Sequence, residues 1–367
     1  MEKTLIKSID VFKLDLKFVK SFRISLGEIT KSRNLIIKIN TDSGLSGLGE
    51  ASLLWSITGE TQDIAIAAAR ACGRLIVGKD PFAIETRMKE LNSYLAYNSG
   101  LKSAFDMALY DLLAKRAGLP LYALLGGGKK EIMTNMTIGI DDPDIMAEDA
   151  MNYKEAGALA IKVKLGTNTR DDVARIKAIR EKIGFDILLR IDANQGWDPV
   201  TAITTLQALS TYCIEFCEEP VAHWNNDALR RVYEKSPIPI MADESIFDFH
   251  DAFKLAKMGA CDYFNIKLAK SGGIHNALKI NAIAEAAGIY CMVGGMQETR
   301  VGISAGAHLI SARSNIVFAD LDSINHHVED PVIGGVVFSG STVTLPETPG
   351  HGADIKPEFL EHVERIK

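Results

Sequence analysis

The chain has 367 residues, of which 47% are hydrophobic and 24% charged, and its formal net charge is −6 at pH 7. That length suits two cooperating domains, each with its own core, and basic residues dispersed rather than gathered into a stripe with aromatics argue against nucleic acid and anionic membranes as partners. No window of about eighteen apolar residues occurs, the opening "MEKTLIKSID" lacks the apolar core of a signal peptide, and the five cysteines form no CxxC pair, so a cytoplasmic protein with free core thiols is expected.

In chain order, residues 1–125 begin with the alternating runs "SIDVFKLDLKF" and "NLIIKINTDSGLSGLGEA", the second turning at "DSG". This is the start of a meander. Helix-period segments follow at residues 62–77, 82–95 and 100–117, the last stopped by Gly118 and Pro120. Strands first and helices afterward predict an α+β domain.

From about residue 126 to 325 the rhythm becomes short apolar run, loop, amphipathic helix. The runs are "NMTIGI" (135–140), "AIKVKL" (160–165), "ILLRIDA" (187–193), "CIEFCEE" (213–219), "IPIMADE" (238–244), "YFNIKLA" (263–269), "YCMVGGM" (290–296) and "IVFADLD" (316–322). They recur about every 22 to 28 residues, the period of a βα unit with a short crossover helix. Seven to eight such units predict a TIM-type (β/α) barrel. An open doubly wound sheet competes, but no glycine-rich dinucleotide turn opens the first unit. Residues 326–367 read as a strand-turn-strand segment returning to the first domain.

Chemistry in such barrels sits at the C-terminal strand ends. Here those ends carry Lys162 and Lys164, Asp192 and Asn194, Glu218 and Glu219, Asp243 and Glu244, Lys267, Glu298 just past its strand, and Asp320 with Asp322. Residues i and i+2 share a face, so Lys162 projects with Lys164 and Asp320 with Asp322. One acid after a strand is commonly just a helix cap. Three neighbouring strands ending in Asp192, Glu218 and Asp243 are different, because inward carboxylates repel unless a cation sits among them. An oxygen-only ligand set without His or Cys suits Mg²⁺. Lys164 and Lys267 flank the metal-bearing strands, and burial plus neighbouring positive charge would fit Lys164 to act as a base. Two opposed lysines around a metal can take a proton from one face of a carbon and return one to the other. Plain ion pairing of these lysines with the acids is the alternative.

With Lys162-x-Lys164, Asp192, Glu218, Asp243 and "NIKLAKSGG" around Lys267, the sequence resembles the enolase superfamily, muconate lactonizing enzyme subgroup, over essentially its whole length. The resemblance implies an N-terminal capping domain with substrate-covering loops at about 20–32 and 51–61. It also implies abstraction of a proton α to a carboxylate through an enediolate stabilised by Mg²⁺. "DLD" at 320–322 looks like the DxD motif of dipeptide epimerases. Two lumen-facing acids make a cradle for an ammonium group. The expected substrate is a dipeptide with its carboxylate on the metal and Lys162, its C-terminal Cα between Lys164 and Lys267, and its amine on Asp320 and Asp322. The alternatives within the superfamily are an o-succinylbenzoate synthase, an N-acylamino acid racemase or a cycloisomerase; a non-catalytic barrel is a further reading.

Departures from the pattern bear on substrate. L-Ala-D/L-Glu epimerases carry an arginine in the first-domain lid, where this chain has "SLGEITKS" with Gly27 and Glu28. "CEEP" replaces "EQP", leaving Glu218 for the metal and Glu219 behind it with Asn194 and Glu244. Trp55 and Ile57 are candidate apolar walls. A hydrophobic or small residue is expected at the epimerised position, with a cationic one second because of Glu28 and Glu298. His326 and His327 are expected as solvated loop residues, and His308 as core or cap. Barrels of this kind tend to associate, so a homo-oligomer is expected.

Overall fold

The computed structural model describes residues 4–367. Its first part is an antiparallel sheet of β1 (Ile6–Ile24), β2 (Gly27–Thr41) and β3 (Ser46–Ala51), followed by helices α1 (Gln62–Ile76), α2 (Ile84–Tyr94) and α3 (Ser99–Ala117). Helix α3 stops where Gly118 adopts a left-handed conformation at φ 68°. "SGLGEA" explains how sheet and helix pack so closely. A Cβ on Gly47 or Gly49 would lie 2.1 or 2.0 Å from the carbonyl oxygens of Ala108 and Ala104 in α3, so only glycine lets the backbones approach.

Eight parallel strands form the second part in sequential order, and an isolated bridge between Thr134 and Ala319 joins the last to the first. They are Met136–Ile138, Ala160–Lys164, Leu188–Asp192, Ile214–Glu218, Ile240–Ala242, Tyr263–Lys267, Tyr290–Gly294 and Ile316–Asp320. Each falls inside one of the eight apolar runs. The runs look uniformly apolar because both faces are covered, one by helices and one by the lumen. Phe216, Met241 and Met292, with Tyr263 and Phe318, plug the lower lumen. The barrel is therefore a solid support with its polar residues at the top.

Strand register lays those polar residues in a row. Lys164 pairs with Asp192 and Asp192 with Glu218 across three strands; on the other side Lys267 pairs with Gly294 and Gly294 with Asp320. Gly294 is small because a Cβ there would stand 2.7 Å from the Asn265 side-chain oxygen.

Two expectations change. The covering segment around residues 20–32 is not an irregular loop but the tip of the β1–β2 hairpin, paired through Phe22–Ile29, Arg23–Glu28 and Ile24–Gly27. Alternation of Phe22 and Ile24 with polar neighbours is a strand signal that the lysine-rich flank obscures. At the C-terminus, Glu361–Ile366 pairs with β1, and Val332, Ala353 and Ile355 pack on Leu14, Leu16, Ile36 and Leu48 of the first sheet, but one hairpin of this segment lies elsewhere. Within the hairpin formed by Val337–Ser339 and Thr342–Thr344, the second strand pairs instead with Ile132–Met133 beside the barrel.

The two parts are joined by buried carboxylates. Glu50 of β3 accepts hydrogen bonds from Thr299 N at 2.9 Å, Thr299 Oγ1 at 2.8 Å and Gly302 N at 3.0 Å, satisfying the start of the helix Arg300–Ala312. Asp106 of α3 accepts from the amides of Ile274 and His275 at the start of another barrel helix.

Candidate active site

The barrel top and the first-domain hairpin enclose one cleft. Its floor includes Lys164, Asn194, Asp243, Glu244 and Lys267; one side carries Thr137, Asp320, Asp322, Ser323 and His326; the roof is Phe22, Ile24, Ile29, Leu54 and Ile57.

On the floor, one oxygen from each of Asp192, Glu218 and Asp243 lies within 4.8 Å of the others, and all three residues are fully buried. Oxygens on an octahedral Mg²⁺ about 2.1 Å from the ion stand roughly 3–4 Å apart. The donor set fits that ion. Two further observations agree: Glu218 Oε2 and Asp243 Oδ1 are buried without a hydrogen-bond partner, and burial together with Asp192 pushes the Glu218 carboxyl up to about 8, the mark of crowded acids short of positive charge. Lysine ammoniums come near both orphan oxygens, Lys162 at 2.6 Å and Lys270 at 2.5 Å, without hydrogen-bond alignment.

The acids are held from behind. Asp192 Oδ1 accepts from Asn194 N at 2.8 Å and Glu218 Oε1 from Asn265 Nδ2 at 2.7 Å. Glu219 accepts from Asp243 N at 2.6 Å and from Ser245 N at 3.2 Å, and Asn194 Nδ2 donates to Glu244 Oε1 at 3.2 Å. Asn194, Gln195 and Glu219 have φ of 39°, 69° and 35°. Left-handed backbone at non-glycine residues is held only where surroundings over-determine it, and here it aims the chain ends of two acid-bearing strands.

Lys164 Nζ lies 2.6 Å from Asp192 Oδ2, and Lys267 Nζ 2.7 Å from Asp243 Oδ2. Both line the cleft from opposite parts of the strand ring, the second strand and the sixth. Although burial opposes it, the charges of Asp243 and Glu218 hold the Lys267 ammonium well above its ordinary range.

Asp320 and Asp322 are buried side by side in the cleft. Asp320 Oδ2 meets Lys162 Nζ at 2.8 Å and its Oδ1 accepts from Asn135 Nδ2 at 2.7 Å; burial works against ionisation there, but the lysines, Lys162 first, keep the carboxyl well below its usual range. Asp322 accepts from Thr137 N at 2.5 Å and has no such cation. Burial, with Asp320 adding to it, pushes its carboxyl up to about 7.

Several expected residues stand elsewhere. Lys162 does not face the cleft: it is 1% exposed, below the floor among Asp192, Glu218 and Asp320, because its place two residues earlier on the strand is one layer deeper. Glu28 is exposed at the hairpin tip. Glu298 is buried beneath the segment 295–297, where its carboxylate accepts from Met296 N, so neither acid lines the cleft. Trp55 is 76% exposed and borders an adjoining groove, whereas Leu54 and Ile57 supply the apolar wall. His326 and His327 are not solvated: His326 lines the cleft, where burial and His327 push its imidazole down to about 4, and His327 is buried. His308 is buried and accepts from Tyr122 N through Nδ1, as a core cap.

Sequence reasoning missed Arg190, Asn135, Asn265 and Lys270. Arg190 donates to Asn135 Oδ1 at 2.9 Å beneath Asp320, and its spacing of two from Asp192 was a readable signal of a lumen position. Lys270, in "NIKLAKSGG", ties the Asp243, Ile246 and Asn265 carbonyls together.

Comparison with known proteins adds a family. Residues 8–126 match the mandelate racemase / muconate lactonizing enzyme N-terminal domain, and residues 145–359 match the enolase C-terminal domain-like family. The chain is 45% identical over 349 residues to a hydrophobic dipeptide epimerase of Enterococcus faecalis, covering 95% of this chain and 99% of that one. It is 43% identical over 364 residues to a D-Ala-D/L-Ala epimerase of Cytophaga hutchinsonii, covering 99% of each. The crystal structure of a dipeptide epimerase from Cytophaga hutchinsonii, complexed with Mg and the dipeptide D-Ala-L-Val, superposes with a TM-score of 0.97 at 42% identity, covering 99% of this chain and all of that one. With both domains matched and relatives similar along their full lengths, this chain belongs to the mandelate racemase / muconate lactonizing enzyme family of the enolase superfamily.

Proposed function

We propose that this protein is a Mg²⁺-dependent dipeptide epimerase, an isomerase that inverts the α-carbon of a dipeptide's C-terminal residue by two-base 1,1-proton transfer. The observation that carries it is one cleft lined by two lysines from opposite parts of the ring, an acid of the candidate metal group and a second, separate acid pair. Asp192, Glu218 and Asp243 would hold Mg²⁺, which would supply positive charge at the substrate carboxylate and so acidify the neighbouring Cα–H.

Lys164 and Lys267 then have complementary tasks: one takes the proton from Cα and the other delivers a proton to the opposite face, the two exchanging roles with the direction of reaction. Their carboxylate partners Asp192 and Asp243 hold the ammonium groups in place. Asp320 and Asp322 receive the substrate's free ammonium, which neutralises a pair whose second member is otherwise reluctant to ionise. The apolar roof keeps water from the carbanion and strengthens every charge interaction below it.

For the epimerised position, a hydrophobic or small side chain is favoured. The roof of Phe22, Ile24, Ile29, Leu54 and Ile57 supports this, as does the similarity to a hydrophobic dipeptide epimerase. A cationic side chain loses its basis, because Glu28 and Glu298 face away from the cleft. A cytoplasmic location and homo-oligomeric assembly complete the reading; five free cysteines, four of them buried, support the first.

The test is to incubate the protein with Mg²⁺ in D₂O with a library of L-Ala-L-Xxx and L-Xxx-L-Ala dipeptides, alongside the corresponding N-acylated amino acids, and follow mass. Uptake of one deuterium at a single α-carbon, with inversion, is expected for apolar and small C-terminal residues. Exchange confined to N-acylated amino acids would overturn the amine cradle and with it the dipeptide substrate.

A further inference from the structure

One wall of the cleft comes only in part from a barrel strand. Phe22, Thr137 and His326 line the catalytic cleft on one face and, on the other, a second cleft between β1 and the first barrel unit that reaches Lys20, Asp141 and Tyr153. The three residues are a partition between two spaces, and the partition is anchored from both domains. The Phe22 and His326 rings lie with centroids 4.4 Å apart at 31°, Phe18 stands 5.8 Å from His326, and His326 Nδ1 is 3.3 Å from Gln297 Oε1. Just beyond, Phe18 and His327 form a β-bridge and Val328 N donates to the Lys17 carbonyl at 2.9 Å, strapping the segment to the hairpin.

His326 closes the short 3₁₀ turn Ser323–His326, which begins directly after Asp322. An ammonium on Asp320 and Asp322 therefore brings the first residue's Cα, and the side chain it carries, up against this partition. We propose that the partition of Phe22, Thr137 and His326 limits the size of the substrate's N-terminal residue, so that small first residues fit and large ones are shut out of the space behind it. The inference rests on the dipeptide reading above. It assigns the Phe22–His326 pair a task distinct from covering the epimerised carbon: Ile24, Ile29, Leu54 and Ile57 read the second residue, and the partition reads the first.

The experiment compares kcat/KM for L-Ala-L-Xxx and L-Leu-L-Xxx, with Xxx kept the same, in the Mg²⁺-loaded wild type and in His326→Ala and His326→Phe. The wild type should favour L-Ala by about tenfold or more, the discrimination that a few methylene groups at a packed wall produce. His326→Ala opens the partition and should shift that ratio toward L-Leu by about tenfold or more, while preference at the second residue stays as it was. His326→Phe keeps the stacked wall without the hydrogen bond to Gln297 and should retain the wild-type ratio. A uniform fall in activity with an unchanged ratio in His326→Ala, or a wild type that uses L-Leu as well as L-Ala, overturns the proposal. Should His326→Ala fail to fold, Phe22→Ala removes the other ring of the wall and is read by the same ratio. Failure of every dipeptide to exchange would instead remove the dipeptide reading, and the partition's role with it.

Discussion

The floor and the roof of the cleft follow opposite rules. Below, charged groups are buried: Asp192, Glu218 and Asp243 are fully enclosed, and Lys164 and Lys267 are 6% and 7% exposed. Above, the residues facing the same space are Phe22, Ile24, Ile29, Leu54 and Ile57, none of them charged. The floor tolerates buried charge because each group has an opposite charge or a donor within reach on a rigid strand. The roof presents no charged partner to the cleft and contributes apolar area instead. On the proposed reading, chemistry falls to the barrel, and choice at the epimerised residue to the first domain.

The largest effect that would test this division is on the floor. Lys164→Ala and Lys267→Ala should each lower kcat by about 10²- to 10⁴-fold, the usual contribution of a positioned acid or base, with folding retained. Chiral analysis of epimerisation in both directions checks it; a variant that interconverts both isomers at the wild-type rate would dismiss the two-base scheme. Removing a roof residue should instead redistribute activity among substrates.

The joint between the two parts is next. Glu50→Ala leaves the Thr299 and Gly302 amides without their acceptor and should cost about 1–3 kcal/mol of stability, read as a lower urea midpoint. Glu50→Gln, which keeps an acceptor, should recover part of it. An unchanged midpoint in Glu50→Ala would mean that Asp106 and the apolar contacts hold the two parts together without Glu50.

The smallest effect concerns pH at the amine cradle. Asp322, facing Asp320, Lys162 and the Thr137 amide, is pushed up to about 7. A substrate ammonium needs the carboxylate, and the ammonium itself is lost above about pH 8, so dipeptide affinity should peak between about pH 7 and 8, weakening by about tenfold per pH unit below and falling again above. The linkage to stability has the opposite slope. The folded state holds a proton that the unfolded chain releases at the ordinary carboxylate range, so without dipeptide this group's contribution falls as pH rises from about 4 to 7. Calorimetric titration with an unreactive dipeptide analogue checks the first, and flat affinity across pH 7 would contradict it. Asp322→Asn should bind weakly at every pH.

Much of the floor could be read from the chain alone. Lys162-x-Lys164, the acids ending three consecutive runs and the DxD pair all rest on strand periodicity, and periodicity is local. Depth within the lumen is not local: Lys162 and Lys164 share a face, yet one lies beneath the carboxylates and the other beside the cleft. The roof was harder. Leu54, Ile57 and Trp55 are neighbours with similar apolar character, but Trp55 points to an outer groove, and nothing in the local sequence says which of them will face a barrel formed much later in the chain.

The sequence by itself determined the barrel, the first-domain meander and the acids and lysines that end the strands, because two-residue alternation and βα spacing are imposed by backbone geometry. Tertiary structure alone decided that Glu28 and Glu298 stay out of the cleft, that Glu50 fastens the lid to a barrel helix, and that Phe22 meets His326 across some three hundred residues of chain. Those contacts depend on how two separately folded surfaces dock, and docking is set by shape and buried partners that no local pattern encodes.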